Sequence, residues 1–258
     1  MANLVLDIIK NSARKFGVEI SRIPPPGSFD RHLRDLLEQL EINVVLDVGA
    51  YKGDYARELR RVGYRGRIIS FEPVPTSFAN ISSAMQHDPL WSGQPFGLSD
   101  ENRQATMHTH ERADFNSLLQ IRRQTELAYG VDRSGWREAQ IELRRLDSVL
   151  PDLLSGIQSP RVFLKIDTQG HDVDVLRGAS GVIDQILGLQ MELPAVELYE
   201  GMASMAGGIG FCNSCGFVPV GFYPVNVVDR VQISPEFDVL FKRFDGDLTA
   251  GSNLGRPS

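Results

Sequence analysis

The sequence predicts an α/β protein built on an open, mainly parallel sheet. Three stretches carry that prediction: residues 44–47, 67–72 and 161–167. Each is a short apolar run fit for a strand buried on both faces, and each ends in an acid followed by a turn and a helical pattern. In sheets of this kind, acids at the carboxyl ends of the strands converge on the crevice where ligands bind.

The first stretch organises the rest. Val44, Val45, Leu46, Asp47 and Val48 run into Gly49-Ala50-Tyr51-Lys52-Gly53-Asp54, and Tyr55, Leu59 and Val62 then share one helical face. Gly49 and Gly53 permit a sharp turn and a close approach of ligand to backbone. The helix start offers free N–H groups. The alternative is a glycine-rich turn that binds nothing. The second strand ends at Glu72-Pro73. An acid there lies beside the first turn, where its two oxygens can accept both hydroxyls of a ribose. Glu72 therefore points to a nucleoside ligand without naming it; its alternative use is to cap the next helix.

Composition bounds the class. At 258 residues the chain fills one large α/β domain or two small ones, and 42% hydrophobic residues supply a sizeable core. A net charge of −6 argues against a general nucleic-acid or anionic-membrane surface. Two cysteines imply no disulfide framework. No apolar run approaches the ~20 residues of a membrane span, and the start lacks a signal-peptide pattern. A soluble, cytoplasmic protein is expected.

Residues 2–20 are amphipathic, with Leu4, Val5, Ile8, Ile9, Ala13 and Phe16 on one face. They predict a helix lying on a membrane surface or, better suited to so modest an apolar face, packed on the domain or on a second subunit of a homodimer. Pro24-Pro25-Pro26-Gly27 stops it, and Ser28 starts a second helix buried through Phe29, Leu33, Leu36, Leu37 and Leu40. Residues 1–41 thus form an N-terminal helical extension to a domain spanning 42–244, and the polar, patternless 245–258 reads as a disordered tail.

Within the domain, residues 91–96 predict a third strand. Leu98 and Ser99, just after it, would flank a base such as adenine. Residues 105–110 alternate weakly, an excursion from the parallel sheet, with His108 and His110 on one face as a possible metal pair lacking a third ligand. Residues 112–140 are irregular and polar, with Phe115, Tyr129, Trp136 and several arginines. They predict a lid, part of an insertion over 101–146, whose aromatics form an apolar mouth or pin the insertion to the sheet. Residues 141–146 alternate as an edge strand, and a short helix follows Asp147. After the strand that ends at Asp167, Thr168-Gln169-Gly170-His171-Asp172 leads into a helix, so Asp167, Gln169 and His171 meet the region of Asp47 and Glu72. Residues 187–193 form the next strand, ending at Glu192, and a helix is expected from Glu197 toward Cys212. Cys212 and Cys215 lack the partners a zinc or redox site needs and read as buried small side chains before a glycine cap. Residues 217–231 and 237–241 predict a closing hairpin.

Taken together, VVLDVGAYKGDYA, ISFEPVP, FNSLL, LRRLDSVL, FLKIDTQGHDVDVLRGA, LQMELPAVELYEGM and DVLFKR resemble the FkbM family of S-adenosylmethionine (SAM)-dependent methyltransferases. The spacing D-x-G-x-x-x-G at Asp47 differs from the dinucleotide fingerprint G-x-G-x-x-G. The resemblance covers residues 44–243. It implies a Rossmann-like, seven-stranded class I methyltransferase sheet with helices on both faces and an antiparallel last strand. It also implies O-methylation of a hydroxyl on a small sugar or secondary metabolite, with SAM held by Asp47, Gly49, Ala50, Tyr51, Gly53, Asp54, Glu72, Pro73, Leu98, Ser99, Asp167 and Gln169. Aspartate at 172, where family members often carry glutamate, is a mild departure.

An alcohol is a poor nucleophile at neutral pH, so a general base helps. His171 is favoured because imidazole exchanges protons near neutrality. Asp167 would hold the cofactor's amino group or orient that histidine, and Glu192 is the second candidate base. A metal-assisted variant would use Asp167, Glu192 and a histidine. The competing classes are an NAD-dependent oxidoreductase, disfavoured by the missing fingerprint, and a non-catalytic SAM-binding partner module.

Overall fold

The computed structural model describes residues 24, 25, 27–225, 234–244 and 246. The amphipathic stretch 2–20, nearly all of the tail and the turn of the last hairpin lie outside the described residues.

Helix α1 (Phe29–Gln39) starts where the Ser28 hydroxyl accepts from the Arg31 N–H, and it buries Leu33, Leu36 and Leu37. β1 (Val44–Val48) is buried throughout. α2 (Asp54–Arg61) follows Gly53, whose φ of 77° is left-handed. β2 (Arg67–Phe71), α3 (Pro75–Met85) and β3 (Trp91–Gln94) complete the first half, with Pro75 at the helix start, where its missing N–H is not needed. β4 (Gly97–Leu98), β5 (Arg103–Thr109), α4 (Arg123–Tyr129) and β6 (Arg137–Arg144) form an excursion. The chain returns through α5 (Leu146–Leu153), β7 (Val162–Ile166), α6 (Asp172–Arg177), β8 (Ile186–Pro194), α7 (Met205–Ser214), β9 (Phe217–Val225) and β10 (Glu236–Arg243).

The main sheet has seven strands in the order β3-β2-β1-β7-β8-β10-β9, and β10 runs antiparallel between β8 and β9. This is the sheet the family resemblance implied. Alternation along β1 decides which side each residue serves. Val44, Leu46 and Val48 join α5, α6 and α7 in one core layer, whereas Val45 joins Leu33, Leu36, Leu37 and Leu40 of the α1 region, with α2 and α3, in the other. Cys212 is buried in the first layer and Cys215 is half-buried at the end of α7; both are free thiols.

Four expectations are corrected. Residues 141–146 are not an edge: β6 begins at Arg137 and is the central strand of a second, three-stranded sheet, antiparallel to β5 and parallel to β4. Residues 112–140 are not irregular. They fold into a cap around Phe115, Ile121 and Val131, which pack on Leu198 and Tyr199 of the β8–α7 connection. Inside that cap the buried Glu126 carboxylate lies 3.1 Å from Arg123 and 2.8 Å from Arg133. Burial opposes its charge, yet the two guanidiniums hold its pKa below the usual range. His110 is no partner for His108. It is buried, with Nε2 2.8 Å from the Asp132 carbonyl and Nδ1 accepting from the Arg112 N–H. Among the described residues, no group of three or more His, Cys, Asp or Glu side chains is placed to hold a metal ion. Finally, residues 197–204 are turn and irregular backbone; the helix starts at Met205, where the Ser204 hydroxyl accepts from the Gly207 N–H.

Gly49 has φ of 79°, and a Cβ there would sit 1.9 Å from the Asp167 carbonyl oxygen. Gly49→Ala should therefore destabilise the protein by at least about 2 kcal/mol in urea unfolding, from left-handed strain plus overpacking. Gly210→Ala, inside α7 with open space around the new methyl, should instead stabilise by about 0.5–1 kcal/mol. A Gly49→Ala protein as stable as the parent would contradict the close packing of β1 against β7.

Candidate active site

A cavity of about 350 Å³ opens beyond the carboxyl ends of β1, β2, β7 and β8, and the cap roofs it. Of the residues predicted for cofactor or catalysis, Gly49, Tyr51, Glu72, Pro73, Leu98, Asp167, Gln169, His171 and Glu192 line it. Asp47, Ala50, Gly53, Asp54 and Ser99 do not.

The reasons are local. Asp47 stands opposite Lys165 on β7 and Ser70 on β2, so its side chain leaves the sheet beside theirs. It is fully buried, 3.3 Å from Lys165 Nζ, and accepts from the Ser70 hydroxyl at 2.9 Å. The Ala50 N–H donates to the Phe71 carbonyl, which ties the turn to β2. Gly53 is glycine because a Cβ would strike the Trp91 ring at 2.7 Å. Asp54 is exposed and pairs with Arg57 at 2.9 Å. Thus the two glycines allow close approach of protein to protein.

Glu72 is buried at the end of β2. Its Oε2 accepts from the Tyr51 N–H at 2.8 Å and its Oε1 from the Val74 N–H at 2.9 Å. Tyr51 itself has φ of 47°, a strained conformation for a residue other than glycine. Burial pushes the Glu72 pKa up to about 7, against the pull of the two amides.

The β7 end is a tightly tied loop. The buried Asp172 carboxylate accepts from the Thr168 N–H at 3.0 Å and from the Gly170 N–H at 3.2 Å. Burial and Asp167 raise its pKa to about 6. Gln169, also left-handed at φ 52°, donates through Nε2 to Asp167 Oδ1 at 3.1 Å and to Glu192 Oε2 at 3.0 Å. Its Oε1 accepts from the Tyr199 hydroxyl at 2.8 Å, and its carbonyl accepts from the Ser117 hydroxyl at 2.7 Å. The FNSLL segment thereby latches the cap to the loop. His171 Nε2 is 3.0 Å from Ser99 Oγ and Nδ1 is 3.1 Å from Asp174 Oδ2, so both ring nitrogens are engaged within the protein. Burial pushes the Glu192 pKa well up, aided by Asp167, Glu236, Asp238 and Asp172.

Several lining residues were not predicted as site residues. Glu236 opens β10, next but one to Asp238, which faces Glu192 across the ladder; its strand-start position gave no signal. Arg112 pairs with Asp114 at 3.2 Å and stacks 4.6 Å over the Phe115 ring. Phe115 and Tyr129 had been legible as a possible aromatic mouth. Trp136, legible in the same way, packs on His110 instead. The Tyr129 and Thr168 hydroxyls are buried without a hydrogen-bond partner.

Residues 47–219 match the methyltransferase FkbM domain family. The chain belongs to the FkbM family of SAM-dependent methyltransferases, which sets aside the oxidoreductase alternative. Methyltransferase 1 of Beauveria bassiana (strain ARSEF 2860) is 26% identical over 189 residues, covering 67% of this chain and 71% of that one. Among solved structures, methyltransferase FkbM from Methylobacillus flagellatus KT is similar with a TM-score of 0.48 and 12% identity; the match covers 78% of this chain but only 43% of that one. Aeropyrum pernix fibrillarin with natively bound SAM has a TM-score of 0.45 and 13% identity over 82% of this chain and 74% of its own.

Glu72 makes a testable contribution to pH dependence. Its folded pKa of about 7 lies above the ordinary carboxylate value of 4.5, so between these limits the native state holds a proton the unfolded state has lost. Stability should therefore fall as pH rises from about 4.5 to 7. Glu72→Gln should remove part of that slope, on the order of 2–3 kcal/mol across the window. Chemical unfolding at a series of pH values checks this; an unchanged slope in the variant would contradict the assignment.

Proposed function

We propose that the cavity holds SAM with its ribose on Glu72, and that the protein methylates a hydroxyl of a small acceptor, a sugar or secondary metabolite. Glu72 is the observation that carries this reading. A carboxylate offers about four lone-pair sites, and the Tyr51 and Val74 amides use one on each oxygen. One acceptor site per oxygen is left, the number a ribose diol needs. Leu98, Met107 and Leu143 supply apolar wall for a base on the same side, and Gly49 and Tyr51 border the cavity at the β1 end. The cavity volume falls within the ~300–1,000 Å³ of small-molecule sites. The partnerless Tyr129 and Thr168 hydroxyls fit a cavity meant to be filled.

When bound, SAM supplies a methyl group on a positively charged sulfur. The chain's own part is to orient the acceptor hydroxyl and take its proton. Glu192 is the proton acceptor in this reading. Burial among other carboxylates makes it more basic than an ordinary glutamate, and Gln169 fixes its direction. Asp167 is braced by the same amide and by Lys165 at 3.4 Å. His171, favoured as base on chemical grounds, has both nitrogens committed to Ser99 and Asp174; its role here is to position the β7 loop. Cytoplasmic residence accords with the free thiols of Cys212 and Cys215.

The test is transfer of labelled methyl from SAM to a panel of glycosides and hydroxylated metabolites, with the label located by mass spectrometry. Glu192→Gln should lower kcat about 10²–10⁴-fold at saturating SAM, and His171→Gln should lower it much less. A Glu192→Gln enzyme with parental kcat would remove Glu192 as the base. Separately, Glu72→Ala should weaken SAM binding about ten- to a hundredfold, the worth of lost charge-assisted hydrogen bonds. Unchanged affinity by calorimetry would displace the ribose from Glu72.

A further inference from the structure

A glutamine amide has two ends of nearly the same shape, an acceptor oxygen and a nitrogen with two donors. A half-turn about its last bond exchanges them, and only the partners decide which end faces where. At Gln169 that choice bears on the chemistry. Its Nε2 lies 3.1 Å from Asp167 Oδ1 and 3.0 Å from Glu192 Oε2, so each N–H has a carboxylate. Its Oε1 accepts from the Tyr199 hydroxyl at 2.8 Å. Tyr199 is 1% exposed and belongs to the core of the cap, where it packs with Phe115 and pairs as an antiparallel bridge with Ile121. The main-chain carbonyl of Gln169 accepts from the Ser117 hydroxyl at 2.7 Å. Hydroxyls of the cap and of the connection it packs on thus hold both carbonyl oxygens of a left-handed residue.

The chain of donors has one direction: Tyr199 O–H to Gln169 oxygen, Gln169 N–H to Glu192 oxygen. Each bond in such a chain polarises the next, so the tyrosine strengthens the donation that Glu192 receives. That donation favours the ionised carboxylate, whereas burial favours the protonated one. Glu192 is faced by Asp167 from the end of β7, by Asp172 from α6, by Glu236 and Asp238 from β10 and by the Tyr129 hydroxyl from α4. Lys165 reaches Asp167 at 3.4 Å. Replacing Tyr199 by phenylalanine changes none of these groups. It puts a ring edge against Gln169 Oε1 where a donor was, and a desolvated carbonyl without a donor is costly. The amide recovers that cost by turning its oxygen toward a Glu192 that has taken a proton.

We propose that Tyr199 is a positioning residue: its hydroxyl holds the Gln169 amide with the nitrogen toward Asp167 and Glu192, and so keeps Glu192 ionised and directed for proton transfer. The inference rests on reading Glu192 as the proton acceptor. It also gives the cap a part in the reaction. The packing that seats Tyr199 in the cap sets the state of a carboxylate on the far side of Gln169.

Carbon-13 labelling of glutamate side-chain carboxyls in the full chain tests this by NMR, with the Glu192 signal assigned by its loss in Glu192→Gln. Tyr199→Phe keeps the ring that fills the cap core, so the fold should hold. Glu192 should titrate about one pH unit higher in that variant than in the parent, the worth of a weakened hydrogen bond to a charged group. In Gln169→Met the amide is gone, and adding Tyr199→Phe there should move the titration no further. Methyl transfer carries a matching signature. On the acid limb of the pH profile kcat of Tyr199→Phe should be about tenfold below the parent, and it should approach the parental value as pH rises, with SAM affinity by calorimetry unchanged. A Glu192 titration that does not move would overturn the proposal, and so would a loss of kcat equal at every pH, the mark of a merely structural role. Parental kcat in Glu192→Gln would instead overturn Glu192 as the proton acceptor, while the titration still decides what Tyr199 does to Gln169.

Discussion

Lys165 is the constraint on which the functional end of the sheet depends. It is a buried lysine near the carboxyl end of β7, directly opposite Asp47 on β1. Burial works against its charge, but Asp167 and Asp47 more than offset that and raise its pKa. Its ammonium reaches both carboxylates and the carbonyls of Val48 and Gly49. Breaking a buried pair by removing one partner costs about 3–5 kcal/mol, because the other charge is left unpaired. Here the unpaired charge would be Asp47, fully buried between two strands. The lysine thus ties together the ends of the two central strands, and every cavity residue contributed by β1 and β7 follows within a few positions of that tie.

The cavity floor is then set by close packing and by hydrogen bonds that close its loops. Gly49 lets the β1 turn touch the Asp167 carbonyl. The Asp172 carboxylate closes the next loop on itself, and the Ser117 hydroxyl joins that loop to the cap. Two lining residues other than glycine, Tyr51 and Gln169, are left-handed. Such conformations persist only where the surroundings over-determine them, and here each is held by a carboxylate: Tyr51 through Glu72, and the Gln169 loop through Asp172. At the cavity wall the hydroxyls of Thr168 and Tyr129 are buried without a hydrogen-bond partner.

The sheet was legible because its physics is local. Fully buried parallel strands read as apolar runs, and their terminal acids mark the ligand side; Glu72, Asp167 and Glu192 are legible that way and line the cavity, as does Gln169, two residues past Asp167. Asp47 stands off the cavity wall: a strand buried on both faces carries no alternation to say which side its acid takes, and the register opposite Lys165 decides it. The cap was misread for a related reason. Its stability comes from long-range contacts, such as Phe115 with Leu198 and Tyr199, and from a buried Glu126 whose arginines lie three residues before it and seven after. No periodicity announces either. Chemistry alone favours His171 as a base in the sequence; its partners, Ser99 and Asp174, are set by tertiary structure.

The central question is where a nucleoside sits relative to Glu72. A crystal structure of the protein with S-adenosylhomocysteine tests this most directly. It should place the ribose hydroxyls on the two Glu72 oxygens, the base beside Leu98 and Leu143, and the sulfur on the side of Asp167 and Glu192. A ribose bound away from Glu72, or a sulfur turned from the Asp167–Glu192 wall, would contradict it.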